Sequence, residues 1–139
     1  GVLSLVMRSL LLGPVVDRLG EAGAVRLGAV VLAVGLLLFP FAPNVWWLAL
    51  ILPTVPVGTA LLFPSTTSLL SSAAQVGELG TTMGVAQTFA GLARVAAPIL
   101  GTVVFQRIGV DAPFGLGGLI VAGVGWVAYR YVTPRPVEA

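Results

Sequence analysis

The stretch from residue 46 to residue 70, WWLALILPTVPVGTALLFPSTTSLL, decides the fold, because it carries no charged side chain. A hydrocarbon core about 30 Å thick needs about 20 apolar helical residues to cross it, and this stretch is long enough. Backbone polar groups inside lipid must find their hydrogen bonds within the protein, and a helix provides them within one segment. We therefore predict a membrane-spanning helix over residues 46–70.

Three other stretches have the same character, at residues 25–41, 84–105 and 113–131. The whole chain is 58% hydrophobic and 9% charged, with a mean hydropathy of +1.07, whereas a soluble domain carries roughly 25% charged residues. We expect an all-α fold, a polytopic transmembrane helical bundle. Around the four spans we expect a partial helix at 1–12, a loop at 13–24 and a tail at 132–139.

The composition also excludes several classes of function. The chain has no histidine and no cysteine, so the commonest general base, disulfides and thiolate metal sites are missing. The arginines are scattered and form no basic stripe for a nucleic acid. All five carboxylates fall in predicted loops or the tail: Asp17, Glu21, Glu78, Asp111 and Glu138. We therefore expect neither an enzyme nor a bound cofactor or metal, and no nucleic-acid partner.

The arginines between the spans predict the orientation. Alternate loops and the tail place four of them on one side: Arg18, Arg26, Arg130 and Arg135. Arg107 lies on the other side. Because cytoplasmic loops carry the excess of positive charge, we expect the loop at 13–24 and the C-terminus to be cytoplasmic, in a multi-pass protein of the cell (plasma or inner) membrane.

Prolines interrupt two of the predicted spans. Pro53, Pro56 and Pro64 lie in the second span and Pro98 in the third. A proline removes a backbone donor and clashes one turn earlier, so we predict helix kinks at all four positions. Such breaks in a membrane are tolerated beside other helices or a water-filled cavity. The second span is therefore predicted to be mobile and to face a cavity.

The third span has a small or polar face. Its members recur every three or four residues: Gly84, Gln87, Gly91, Arg94, Pro98 and Gly101. Close helix packing is enough to explain the glycines. Arg94 lies about 15 Å into the span, where a charge is expensive and normally faces the bundle interior or an aqueous pathway. Both a cavity-lining role and a structural role with snorkelling to the interface stay open at this point.

Several motifs resemble a known family. Residues 13–21, GPVVDRLGE, resemble the G-x-x-x-D-R-x-G loop of the major facilitator superfamily, through Gly13, Asp17, Arg18 and Gly20. Residues 63–71, FPSTTSLLS, look like the end of the tenth helix of drug:proton antiporters. Residues 87–98, QTFAGLARVAAP, look like the eleventh helix of tetracycline-efflux-like members. The chain departs from the loop motif at Glu21-Ala22-Gly23, where basic residues are usual.

The resemblance implies a partial C-terminal half of the superfamily fold, from the end of helix eight through helix twelve. It implies proton-coupled efflux of small molecules or drugs by alternating access. The partners would be the lipid bilayer, a small-molecule substrate, protons, and a missing N-terminal half that holds the coupling carboxylate. This part of the chain would then not transport alone. The candidate cavity residues are Phe63, Thr66, Thr67, Gln87, Gly91 and Arg94.

Two alternatives remain at the level of the sequence. Thr66 and Thr67 could simply bond back to helix carbonyls, and Phe63 could simply pack. The chain could also be a complete small four-helix membrane protein, such as a small multidrug transporter or an accessory permease subunit. That interpretation would need a native start near Gly1 and usually an intramembrane glutamate, and the predicted spans contain no glutamate.

Overall fold

The computed structural model describes residues 13–132, and the partial helix predicted at 1–12 and the tail after 132 lie outside this range. Within it, four helical segments are long and apolar enough to cross a membrane: Gly13–Phe41, Val45–Ala73, Leu79–Arg107 and Ala112–Tyr131. No strand occurs between residues 13 and 132. The prediction of an all-α transmembrane bundle is confirmed.

The helices follow one another with short connections. They are α1 (Gly13–Leu38), α2 (Val45–Ile51), α3 (Thr54–Ala73), α4 (Leu79–Arg107) and α5 (Ala112–Tyr131), with a 3₁₀ turn at Phe39–Phe41. The Asn44 side chain accepts a hydrogen bond from the Trp47 backbone N–H at 3.1 Å and so caps α2. The sharp turn before α2 makes α1 and the following span neighbours in space.

The segment expected as a loop at 13–24 is helical instead. α1 begins at Gly13 and is interrupted only at Gly20, whose φ of 68° and ψ of 173° are not helical. Only glycine adopts that region of backbone space without strain. Asp17 and Arg18 suggested a loop, but they lie exposed on this helical segment, where charged side chains reach water. The last glycine of the motif therefore supplies a break between two helical segments.

The second span has a break in its helical hydrogen bonding at Leu52 and Pro53, although both residues keep right-handed helical backbone angles. A kink at Pro53 stays a prediction. Leu52 and Pro53 separate α2 from α3. The Thr54 hydroxyl donates to the Ile51 carbonyl at 2.6 Å, which satisfies an acceptor that the break would otherwise leave without a partner. Pro64 and Pro98 lie inside α3 and α4, which continue past them without an interruption. Bends at Pro56, Pro64 and Pro98 stay predictions.

The tightest helix contact joins α1 to α3 through two glycines. A Cβ atom built on Gly28 would lie 2.9 Å from the Gly58 carbonyl oxygen, and one on Gly58 would lie 2.7 Å from the Leu32 Cβ. Carbon atoms pack at about 3.5–4.0 Å, so only glycine fits at both positions. Small residues of this kind let membrane helices approach closely. The contact fixes α3 against α1.

A different face of α1 packs against α5. The Phe39 and Phe114 rings stack with their centroids 4.2 Å apart. A Cβ atom on Gly118 would lie 2.7 Å from the Leu37 Cγ, so these backbones also approach closely. Ala128 is buried near the other end of α5. α1 is therefore the centre of the part of the bundle that the structure describes.

α4 contrasts with α1. In the most apolar stretch of 18 residues in the α1 span, 44% is buried, whereas in the corresponding stretch of α4 no part is buried. No residue of α4 is buried by the rest of residues 13–132. The helix that carries Arg94 is thus the least covered of the four spans in this part of the chain.

Candidate functional site

The polar face of α4 lies along the middle of the longest helix. Gln87 and Arg94 are exposed and Gly91 is half-buried. These three positions are separated by four and three residues, so they share one face of the helix. The structure therefore brings these three candidates together on one surface.

Arg94 lies close to the midpoint of this helix. With a rise of 1.5 Å per residue, it is about 22 Å from the start of α4 and about 20 Å from its end. The hydrocarbon core is about 30 Å thick, so both interfaces are distant from the guanidinium. Snorkelling is least effective at such a position. The long helix therefore favours a partner inside the bundle or an aqueous cavity.

Because of Pro98, a second polar group, the backbone carbonyl of Arg94, lacks its helical donor at the same depth. Pro98 lies inside α4, four residues after Arg94. A proline has no N–H, so it cannot donate the helical hydrogen bond to the Arg94 carbonyl. The hydroxyl of Thr102 donates to the Pro98 carbonyl at 2.8 Å and does not replace that bond. One turn of α4 thus offers both a guanidinium and a backbone carbonyl that need partners.

The second group of candidates lies on α3. Phe63 is exposed, as are Thr66 and Thr67. The Thr66 hydroxyl donates to the Leu62 carbonyl at 2.6 Å, and the Thr67 hydroxyl donates to the Phe63 carbonyl at 2.9 Å. The threonines therefore bond back to carbonyls of their own helix, which is one of the two roles that the sequence left open for them. Between residues 13 and 132, no hydrogen bond joins the α3 group to the α4 group.

The loop-motif residues mark one end of the bundle. Gly13, Asp17 and Arg18 are exposed on the first segment of α1, and Gly20 ends that segment. Immediately after the break, Glu21 accepts a short hydrogen bond from the hydroxyl of Ser68. The motif therefore lies beside a polar contact between α1 and α3. The sequence does not indicate Ser68, because a pairing between distant helices leaves no local signal.

A cavity of about 480 Å³ lies between the end of α3 and the start of α4. Its lining includes Leu70, Glu78, Thr81 and Thr82. It therefore presents a carboxylate and two hydroxyls beside the turn that joins the two helices. No group of three or more metal-ligating side chains occurs within the described range 13–132.

Arg26 is the second polar residue that the sequence reasoning missed. Its Nη2 atom donates to the carbonyls of Tyr129, at 3.0 Å, and Val132, at 2.5 Å. The guanidinium carbon also lies 4.8 Å from the centroid of the Tyr129 ring. These contacts satisfy carbonyls at the end of α5 that have no helical donor.

Comparison with known proteins identifies the family. The sequence model of the Major Facilitator Superfamily matches residues 2–139. The chain belongs to the Major Facilitator Superfamily. This membership supports a multi-pass membrane protein that takes part in transport, and it favours a transporter over an enzyme and over the small four-helix alternative.

One curated relative gives the scale of the match. Solute carrier family 22 member 18 of Rattus norvegicus is 28% identical over 111 residues, which cover 80% of this chain and 27% of the relative. The chain therefore spans about a quarter of the length of that relative. No solved structure matches the chain.

Proposed function

We propose that this chain is the C-terminal part of a proton-coupled efflux transporter that moves small molecules or drugs by alternating access. It would act as a drug:proton antiporter of the tetracycline-efflux-like type, together with an N-terminal half. We place it in the cell membrane with the loop motif and the C-terminus in the cytoplasm. The single observation that carries the proposal is the uncovered polar face of α4 around Arg94.

The argument begins with the desolvation of Arg94. A guanidinium near the centre of a bilayer costs several kcal/mol unless it is paired or hydrated. The carbonyl of Arg94 has lost its helical donor to Pro98, so a second polar group shares the same level. A water-filled cavity satisfies both groups at once. α4 is therefore proposed to line the pathway.

α3 is the proposed second wall of that pathway. The helix break at Leu52 and Pro53 gives this span a point at which it can bend. Its exposed side chains, Phe63 and the two threonines beside it, provide an aromatic surface and hydroxyl oxygens. The hydroxyls bond to helix carbonyls here, but a hydroxyl oxygen has a second lone pair that can accept a hydrogen bond from a substrate.

α1 and α5 are proposed to support these two walls. They pack closely on each other, and α1 also fixes α3 through the Gly28–Gly58 contact. By the resemblance to the superfamily, α1 and α5 correspond to helices nine and twelve, which pack outside the cavity, and α3 and α4 correspond to helices ten and eleven, which line it. The support would keep α3 in register while α4 contacts the N-terminal half.

The coupling carboxylate is proposed to lie in the N-terminal half. The four carboxylates within residues 13–132 are Asp17, Glu21, Glu78 and Asp111, and each lies near a helix end or in a turn. None is near the middle of a span, where a proton carrier would have to act. A carboxylate from the other half could also pair with Arg94, which would couple protonation to the charge of the cavity.

The decisive test is efflux by the full-length protein with Arg94→Ala. Removing one partner of a hydrogen bond to a charged group typically costs 1.5–3 kcal/mol, so we expect the initial efflux rate to fall about tenfold or more. Arg94→Lys should restore part of the rate, because lysine keeps the charge but lacks the planar fork. The assay is drug accumulation in cells with matched amounts of inserted protein.

Arg107→Ala is the matched control, since it removes an exposed arginine from the last turn of the same helix. It should leave accumulation near the wild-type level. A protonophore should raise accumulation with the wild-type protein if a proton gradient drives export. Wild-type efflux by Arg94→Ala would show that the residue is structural and would overturn the site.

A further inference from the structure

A groove of about 390 Å³ lies between α1 and α5, outside the proposed transport pathway. Its floor is formed by small residues from both helices: Ala29, Ala33, Ala122 and Gly125. Val30 and Val34 form one wall and are exposed, although both are hydrophobic. Apart from the residues at one end, the lining is hydrocarbon. The groove suits an apolar chain.

The length of the groove matches one leaflet of a bilayer. Its lining on α1 runs from Arg26 to Leu37. At 1.5 Å per residue this is about 16 Å, which is about half of a 30 Å hydrocarbon core. The small floor residues leave a channel along the helix pair rather than a closed pocket. Its dimensions fit one extended acyl chain.

One end of the groove is polar and positively charged. Arg26 lies there with Trp126 and Tyr129, and both aromatic side chains are largely exposed. Tryptophan and tyrosine are enriched at the level of lipid headgroups. A guanidinium has five N–H donors, and the carbonyls of Tyr129 and Val132 occupy two of them. Among residues 13–132, no acidic side chain lines the groove.

The Arg26 side chain is held in place for a ligand at this end. Its Nε atom is buried and both carbonyl bonds come from Nη2, so an anion in the groove would be bound by Nη1. The two carbonyl bonds and the Tyr129 ring fix the guanidinium, so little rotamer freedom is lost when an anion binds. Arg130, in the same last turn of α5, is exposed and adds a second positive charge nearby.

We propose that this groove binds an anionic phospholipid, with one acyl chain along the small-residue floor and the phosphate at Arg26. The arginine-rich end is the one expected on the cytoplasmic side, where anionic lipids attract basic residues. The inference needs only that α1 and α5 span the bilayer. It is independent of the proposed efflux, so either proposal can fail without the other.

The test measures lipid binding by the purified full-length protein in detergent. Phosphatidylglycerol and phosphatidylcholine with identical acyl chains are titrated, and bound lipid is counted by native mass spectrometry. Both lipids carry the phosphate, but phosphatidylcholine adds a quaternary ammonium beside the arginines, so we expect the net negative phosphatidylglycerol to bind about fivefold more tightly. Glycerol 3-phosphate, which has no acyl chains, should not compete, because the groove contributes the apolar part of the site.

Two variants locate the site. Ala122→Leu fills the floor without changing any charge and should abolish the preference for phosphatidylglycerol, as should Arg26→Gln. Ala49→Leu, at an exposed position on α2, and Arg107→Gln, at the opposite end of the bundle, are the matched controls and should keep it. Ala122→Leu keeps the test informative if loss of Arg26 destabilises the fold.

Three results would overturn the proposal. They are equal binding of the two lipids to the wild-type protein, an unchanged preference in Ala122→Leu, and full competition by glycerol 3-phosphate. If equal binding in the wild type comes with a change in oligomeric state in Ala122→Leu, the occupant of the groove is a second protein copy.

Discussion

Replacing Gly58 by valine tests the packing on which the described bundle depends. A Cβ atom at this position lies 2.7 Å from the Leu32 Cβ, 2.9 Å from the Leu32 nitrogen and 3.0 Å from the Gly28 carbonyl oxygen. The carbon–carbon distance is about 1 Å shorter than ordinary contact. Two of the three atoms belong to the backbone of α1, so a side-chain rotation cannot relieve the overlap and the helices must separate.

The magnitude follows from two opposing terms. Overpacking in a close contact costs about 1–3 kcal/mol, and more when backbones must move. Valine regains a few tenths of a kcal/mol because it is a better helix former than glycine. We therefore expect Gly58→Val to lower the free energy of unfolding by about 2 kcal/mol. Reversible unfolding of the full-length protein in mixed micelles, followed by circular dichroism, measures the change.

Gly123→Val is the control, since nothing lies within 4 Å of a Cβ atom at that position on α5. Both variants add the same isopropyl side chain to a spanning helix, so the difference between their free energies of unfolding isolates the contact between α1 and α3. Gly123→Val should be neutral or slightly stabilising. If the two variants unfold at the same denaturant concentration, the close approach of Gly28 and Gly58 does not contribute to stability and the reasoning is refuted.

Two further predictions concern the end of the bundle that carries the loop motif. We propose that the exposed carboxylate of Asp17 acts as a conformational latch at this end, as the loop of the superfamily does. Asp17→Asn should then reduce efflux while expression stays near the wild-type level; unchanged efflux at equal expression would make the motif only a helix start. Cysteines at Leu19 and Asn44, both exposed, should react with impermeant thiol reagents from opposite sides of the membrane. Labelling of both cysteines from one side would contradict the orientation.

The number and positions of the spans were predictable from the sequence. Each helix in lipid satisfies its own backbone, so length and hydropathy are sufficient to locate it without knowledge of its neighbours. The break at Pro53 was predictable for the same reason, since a missing N–H is a local property. The segment at 13–24 was predicted wrongly, because Asp17 and Arg18 look like loop residues although they are compatible with a helix that extends beyond the hydrocarbon core.

Some properties of the candidate site were also predictable from the sequence, and others were not. Helix periodicity predicted that Gln87, Gly91 and Arg94 share one face. The length of α4 in the structure shows that Arg94 lies near the middle of the helix. Only the structure shows that the hydroxyls of Thr66 and Thr67 bond to carbonyls of their own helix. Within residues 13–132 no residue of α4 is buried, and the efflux assay tests the proposed role of Arg94.

The sequence by itself determined that this chain forms membrane-spanning helices, where they lie, and which family motifs they carry, because these properties arise from each segment separately. The tertiary structure decided which helices touch. It paired Gly28 with Gly58, Arg26 with the end of α5, and Glu21 with Ser68. Those contacts join residues tens of positions apart, and their energies depend on ångström-scale distances between helix surfaces that no periodicity in the sequence encodes.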